Sequence, residues 1–142
     1  MNQTLVFGPM LTMFLLTIGV WVHMYIKRIG LIGARRLRAD EVTHEKLAEI
    51  SPPDVSNPSD NLKNLFEVPT IFYAFVLYLY MTSQADPVYL AGCWAFAGLR
   101  VVHSAIHCTF NRVMLRFLVY VASTLVLWAM IVRAVVEYLQ AG

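Results

Sequence analysis

Charged residues are scarce in this chain. Of its 142 residues, 14% are Asp, Glu, Lys or Arg and 58% are hydrophobic, whereas soluble globular domains average about 25% charged residues. A chain of this size cannot bury so much apolar surface in its own core. The composition therefore excludes an ordinary soluble domain and predicts an integral membrane protein whose remaining apolar surface contacts the lipid bilayer.

Cysteines are also few, and the excess of positive over negative charge is small. The two cysteines, Cys93 and Cys108, both fall within apolar segments, so the sequence predicts no disulfide framework. Eleven basic against nine acidic residues give a net charge of +2, which is too small to indicate a nucleic-acid partner. No basic residue precedes the first apolar stretch, so we expect an uncleaved membrane helix there rather than a secretory signal.

Four apolar stretches predict an all-α fold, an integral membrane four-helix bundle forming a single domain over residues 1–142. Residues 3–26 contain no charged residue and, at about 1.5 Å per residue, can cross a hydrocarbon core of about 30 Å. The predicted spans are residues 4–26, 64–84, 88–110 and 114–138. Residues 27–63 form a polar loop, in which Asn57 as a cap and Pro58 as the first helical residue predict the start of the second helix.

The distribution of basic residues predicts the orientation. Seven of the eleven lie in residues 27–63 and two more, Arg112 and Arg116, lie in the third loop, whereas the second loop has none. The positive-inside rule places both basic loops in the cytoplasm and both termini on the other side. Because no targeting signal is evident, we expect a multi-pass protein of the cytoplasmic (inner) membrane of a bacterium.

Several polar residues fall at the cytoplasmic ends of the last three predicted spans. Ionisable residues inside a membrane normally face a partner or a cavity. Helical spacing places these residues on three stripes, namely Asp60, Asn64 and Glu67, then Arg100, His103, His107 and Asn111, then Arg116, Tyr120 and Ser123. We therefore expect three polar faces to meet at one level, with Arg100 close enough to Glu67 to form an ion pair.

Interpretations without a binding site remain open for individual residues. Arg116 at a span end is also typical of a side chain that reaches the headgroups. Arg100 lies too deep for that, but a purely structural pair with Glu67 would account for it. His23 is typical of an interfacial residue.

The predicted cluster suits two ligands of different character. Arginines, an amide, a carboxylate and a phenol at the cytoplasmic level favour a small, multiply charged, soluble ligand that meets a lipophilic small molecule arriving through the bilayer. An arginine there could also stabilise a thiolate, because a nearby cation lowers a thiol pKa from about 8.5.

Three motifs together resemble the MAPEG superfamily, the membrane-associated proteins in eicosanoid and glutathione metabolism. They are Asn64, Glu67 and Pro69 in DNLKNLFEVP, Arg100 and His103 in LRVVHSAIH, and Arg116 and Tyr120 in RFLVY. The resemblance covers all four predicted spans. It implies a homotrimer that binds glutathione as co-substrate between neighbouring subunits, and a transferase or peroxidase acting on hydrophobic electrophiles or lipid hydroperoxides.

The resemblance also implies roles for single residues. Arg116 is similar to the family's catalytic arginine, which steadies the glutathione thiolate, and Tyr120 is similar to its hydrogen-bond donor. The residues similar to glutathione contacts are Arg35, Asn64, Glu67, Arg100 and His103; Arg36 and Arg38 are alternatives to Arg35. His107 stands where a glutathione-contacting tyrosine is often found, and Asp60 stands where an arginine is common.

Two other classes of function remain open. Because His107 and Asp60 differ from the residues common at those positions in the family, a binding or scaffold subunit without catalytic activity is one alternative. Alternatively, His23 together with His103 or His107 could ligate a haem iron or a metal from two helices. Nothing in the chain supplies a clear third ligand set, so the sequence predicts no metal site.

Overall fold

The computed structural model describes residues 2–141 and shows a bundle of six α-helices. The helices are α1 (Phe7–Arg35), α2 (His44–Ile50), α3 (Pro53–Leu65), α4 (Val68–Met81), α5 (Pro87–Cys108) and α6 (Val113–Ala141). Short 3-10 turns, Gln3–Val6 and Ala39–Glu41, precede α1 and α2. Among the described residues no strand occurs, which agrees with the predicted all-α class.

Three helical stretches are long and apolar enough to cross a membrane. They are Gln3–Arg35, Pro53–Met81, which joins α3 and α4, and Val113–Ala141. Helix α5 is 22 residues long, but Arg100, His103 and His107 lower its hydropathy. The four-span arrangement therefore stays a prediction, whereas three apolar helices support a membrane protein directly.

The core forms where α5 packs against α6 and where α1 packs against α3 and α5. Phe72 of α4 stacks on Phe96 of α5, with ring centroids 4.4 Å apart. Cys93 and Leu127 are fully buried beside them. Large apolar side chains on the outer faces of α1 and α6, such as Leu15 and Val132, remain exposed, as expected of surfaces that contact lipid.

The predicted start of the second helix, near Pro58, was wrong, because the helix begins more than one turn earlier. Helix α3 begins at Pro53, after Pro52 as its N-cap, and Pro58 lies inside it. Proline suits the first turn of a helix because its missing amide would be unsatisfied there, and the sequence offers this signal twice. The predicted start used Pro58, whereas the helix uses Pro53.

The second predicted helix is also interrupted. Helix α3 ends at Leu65, and α4 starts at Val68 with Pro69 in its first turn. Pro69 cannot donate a hydrogen bond to the carbonyl of Leu65, and its ring clashes with a continuing helix. Glu67 therefore stands at a bend between two helices, where it is exposed.

Candidate functional site

One open cleft of about 350 Å³ lies between the α3–α4 bend, α5 and the start of α6. Five of the eight predicted site residues line this cleft: Asn64, Glu67, His103, Arg116 and Tyr120. They come from three parts of the chain that are distant in sequence. The structure therefore brings together residues from all three predicted stripes, although not every member of each stripe.

Arg100 lies directly beneath the cleft and is completely buried. Its guanidinium carbon stands 4.5 Å from the centre of the Tyr120 ring and 5.3 Å from that of Phe96. Its Nη2 donates a long hydrogen bond of 3.5 Å to Thr124 Oγ1. Stacking on two aromatic faces is a favourable cation–π arrangement for arginine.

The predicted ion pair between Arg100 and Glu67 was wrong. Among residues 2–141 no ion pair joins them, although Glu67 is close enough to interact with Arg100 electrostatically. The bend at Phe66–Glu67 turns the carboxylate toward the open cleft, while Arg100 packs against aromatic rings. A purely structural pair therefore does not account for Arg100.

The two histidines of α5 pack edge to face, with ring centroids 5.6 Å apart. His103 Nδ1 lies 3.1 Å from the backbone carbonyl of Arg116. A carbonyl only accepts, so Nδ1 carries the proton, and Nε2 of the neutral ring is an acceptor. Each ring is only 2% exposed, which makes its remaining nitrogen costly to leave unpaired.

Four buried polar atoms lack a hydrogen-bond partner among the described residues, and only one of them belongs to a residue that lines the cleft, His103. They are Arg100 Nε, Arg100 Nη1, His103 Nε2 and His107 Nδ1. Buried polar groups in native proteins are nearly always satisfied. This group offers both donors and acceptors, and such a set suits a ligand that carries carboxylate and amide groups.

Arg116 occupies the first turn of α6 and is half-buried. Its Nη1 donates to Asn111 Oδ1 over 2.7 Å. No ion pair within residues 2–141 includes this guanidinium. The cleft thus holds a cation whose charge no carboxylate of the described chain neutralises.

Arg35, together with Asp60 and Asn111 of the predicted stripes, lies elsewhere, and His107 does not line the cleft. Arg35, in the last turn of α1, is exposed and does not line the cleft. Asp60 is exposed and pairs with Lys63 at 3.1 Å. Asn111 was predicted to continue the α5 stripe, but α5 ends at Cys108, and Asn111 lies in the following loop with a left-handed φ of 42°.

The apolar side of the cleft consists of residues that were not predicted from the sequence. Val113, Met114 and Phe117 line it together with the polar residues. Val113, Phe117 and Tyr120 follow an i, i+4, i+7 pattern on α6. That pattern was available from the sequence once the first residue of α6 was known.

The haem or metal alternative lacks a cluster of ligands. Within residues 2–141 no group of three or more His, Cys, Asp or Glu side chains is arranged to hold a metal. His23 lines a separate groove between α1 and α5 with Ser104 and Cys108, whereas His103 lines the cleft. His23 and His103 therefore face different cavities.

A comparison with known protein families gives a match over nearly the whole chain. The comparisons found no similar curated protein and no similar solved structure. The model of the MAPEG family matches residues 6–136, nearly the whole chain, including every residue that lines the cleft. The chain therefore belongs to the MAPEG family.

Proposed function

We propose that this protein is a membrane-bound, glutathione-dependent transferase or peroxidase that acts on hydrophobic electrophiles or lipid hydroperoxides. The observation that carries the proposal is the unneutralised guanidinium of Arg116 in a cleft with one polar and one apolar side. Membership of a family of membrane proteins of glutathione and eicosanoid metabolism supports glutathione as the thiol substrate.

The two sides of the cleft suit the two substrates. Asn64, Glu67 and His103 offer an amide, a carboxylate and an imidazole to the polar tripeptide. Val113, Met114 and Phe117 offer apolar surface to a lipophilic partner. These three side chains are exposed at the start of an apolar helix, where a substrate dissolved in the bilayer would reach them.

Arg116 is the proposed catalytic residue. A cation close to a thiol favours the thiolate, which is the nucleophilic form. The thiolate sulfur donates its electron pair to an electrophilic carbon, whose bond to the leaving group breaks with the pair going to that group. With a hydroperoxide, the sulfur attacks a peroxide oxygen, and the O–O bond breaks to release an alkoxide. Tyr120 is the proposed hydrogen-bond donor to the negative charge that develops on the departing atom.

The unpartnered atoms beneath the cleft support binding of the same substrate. Arg100 contributes two donor groups, and the neutral ring of His103 contributes an acceptor. The carboxylates and amino group of glutathione match these atoms in kind. His107, which stands where relatives often carry tyrosine, contributes a further ring nitrogen to the same set.

The assembly and topology of the protein are parts of the proposal. We propose a homotrimer of four-span subunits, with residues 27–63 and the cleft on the cytoplasmic side of a bacterial inner membrane and both termini opposite. The family and the open side of the cleft support a neighbouring subunit there. Arg35, exposed at the end of α1, is proposed to contact glutathione held by that neighbour.

The test is the ultraviolet difference spectrum of the detergent-purified protein with and without glutathione at neutral pH. We expect a thiolate band for the wild type and its loss in Arg116→Ala. Removing a preorganised charge typically lowers turnover by about a hundredfold or more. We therefore expect the rate at which Arg116→Ala conjugates glutathione to a hydrophobic electrophile to be lower by about a hundredfold or more.

Arg112→Ala is the matched control, because Arg112 lies four residues earlier, is exposed and does not line the cleft. It should keep both the thiolate band and turnover. Light scattering on each variant checks that the oligomer persists. Parent-rate turnover in Arg116→Ala would refute the assigned role, and glutathione binding without turnover on any electrophile would favour the scaffold interpretation.

A further inference from the structure

A chain of side-chain hydrogen bonds connects Arg116 to α3. Arg116 Nη1 donates to Asn111 Oδ1 over 2.7 Å, and Asn111 Nδ2 donates to Asn57 Oδ1 over 2.9 Å. The three residues lie on the first turn of α6, in the α5–α6 loop and on α3. The chain therefore joins three separate parts of the fold at the edge of the cleft.

The chemistry of the groups determines the direction of each bond. A guanidinium has donors only, so the Asn111 oxygen must face Arg116. The amide nitrogen of Asn111 then points away and needs an acceptor, which the Asn57 oxygen supplies. Arg116 thus sets the orientation of the Asn111 amide, and the Asn57 oxygen supports that orientation by accepting from its nitrogen.

An amide orients the guanidinium without neutralising it. Arginine side chains are usually oriented by carboxylates, whose negative charge would offset the effect of the cation on a nearby thiol. Here the acceptor is a neutral carbonyl, and no ion pair within residues 2–141 includes Arg116. The arrangement keeps both the position and the charge of the guanidinium.

The backbone of Asn111 is held as well. Its φ of 42° is left-handed, a conformation that asparagine and glycine adopt more readily than other residues. The backbone nitrogen of Asn111 donates to the backbone carbonyl of Ile106 over 2.8 Å. The end of α5 therefore presents the Asn111 side chain at a defined place.

We propose that Asn111 and Asn57 are positioning residues that hold the guanidinium of Arg116 at the cleft with its charge intact. The inference rests on the proposed function, because the effect of this charge on a thiol gives the arrangement its purpose. Neither residue lines the cleft, so both act through Arg116 rather than on a substrate.

The first experiment measures the bound thiolate in Asn57→Ala. Without its acceptor, the Asn111 amide keeps only its bond to Arg116, so the guanidinium is held less firmly. We expect the pKa of the bound thiol to rise by about one unit, which lowers the thiolate fraction of bound glutathione at neutral pH by up to about tenfold. Glutathione affinity should change little. The matched control is Ser56→Ala, one residue away on α3, which should leave both quantities unchanged.

Two variants at Asn111 separate a positioning role from a structural one. Asn111→Gly keeps the left-handed backbone accessible but removes the amide, and should lose thiolate as Asn57→Ala does. Asn111→Asp keeps the shape and binds Arg116 more tightly, yet it adds a negative charge and loses the donor to Asn57. It should also lose thiolate while its thermal stability is kept; full thiolate in this variant would overturn the proposal.

A second measurement makes the inference independent of glutathione. The ¹⁵N NMR signals of arginine Nη groups report restricted rotation of a held guanidinium, and comparison with Arg116→Ala identifies the relevant signal. We expect slow rotation in the wild type and fast rotation in Asn57→Ala. Slow rotation in a wild type that forms no thiolate would refute the proposed function but not the positioning; unchanged rotation in Asn57→Ala would refute the positioning.

Discussion

Arg100 is the residue whose surroundings are least expected. It is completely buried, and burial of a charge without an ionic partner is costly in free energy. No carboxylate among the described residues pairs with it; instead, the rings of Tyr120 and Phe96 face its guanidinium. A residue retained at such a cost is better explained by binding than by stability.

Replacement of Arg100 by methionine tests this explanation. Methionine fills a similar volume without a charge, and such replacements are often neutral or stabilising. We expect Arg100→Met to keep the free energy of unfolding or raise it by up to about 2 kcal/mol, while glutathione affinity falls. Thermal unfolding and titration calorimetry in the same detergent measure the two quantities.

Arg100→Ala is the control for lost volume. It should lower the free energy of unfolding by about 2 to 4 kcal/mol, because a buried cavity replaces the side chain. If Arg100→Met were destabilised as much as Arg100→Ala, the guanidinium would itself be a structural element and the binding explanation would fail.

At the scale of elements, the bend between α3 and α4 determines where the cleft opens. Asn64 lies in the last turn of α3 and Glu67 in the bend itself. The carbonyl of Glu67 accepts from the backbone amide of Thr70 over 3.1 Å and from the Thr70 hydroxyl over 2.6 Å, which ties the bend to the first turn of α4. The bend thereby aims two cleft residues that a straight helix would aim differently.

Pro69→Ala should weaken this bend. Alanine restores an amide for the carbonyl of Leu65 and removes the ring clash, so α3 and α4 can join. We expect slightly higher helicity by circular dichroism, together with a loss of about tenfold to a hundredfold in kcat/KM from misplacement of cleft residues.

Pro58→Ala is the matched control for Pro69→Ala. It makes the same chemical change inside α3, away from the cleft, and should leave kcat/KM unchanged. An equal loss of kcat/KM in both variants would show that general helix stability, rather than the bend, controls the site.

The sequence was a good guide to helices and a poorer guide to their ends. Apolar blocks predict α1, α5 and α6 because hydropathy accumulates over many residues. The start of α3 depends on a choice between Pro53 and Pro58, which local capping rules do not distinguish. The end of α5 depends on a left-handed residue, Asn111, whose conformation is set by its bonds to Ile106 and Arg116.

At the scale of the whole molecule, the sequence predicted several of the residues that meet in the cleft, but not the contacts that each of them makes. Helical spacing placed Asn64, His103 and Arg116 at one level, and the structure gathers them in one cleft. The partners of Arg100 and Arg116 followed from contacts between helices distant in sequence. Spacing along single helices contains no information on such contacts.

A second polar cluster, at the opposite end of the bundle from the cleft, joins α5 to α6. Asp86 caps α5 by accepting from the backbone amide of Tyr89 over 2.8 Å, and it forms an ion pair with Arg133 of α6. Arg133 also bonds Glu137 over 2.8 Å and lies 4.2 Å from the centre of the Tyr89 ring. This cluster locks the two most extensively packed helices together.

The free energy of unfolding should therefore depend on pH in the acidic range. The hydrogen bond from Arg133 holds the pKa of Asp86 below its usual range. Because the pKa in the folded protein lies below the unfolded value of about 3.9, the ionised carboxylate stabilises the fold fully above that pH. The stabilisation is lost as the pH falls through the folded pKa. Thermal unfolding measured from neutral pH down to about pH 3 should show a falling midpoint.

Asp86→Asn should have a lower midpoint at neutral pH and a flatter acid profile, because asparagine can still cap α5 but cannot lose a charge. The control is Asp54→Asn, which breaks the more exposed pair with Lys27; exposed pairs contribute little, so its profile should follow the wild type. An acid profile of Asp86→Asn parallel to that of the wild type would show that this ion pair does not link α5 to α6 energetically. The packing of apolar side chains would then hold the two helices together without it.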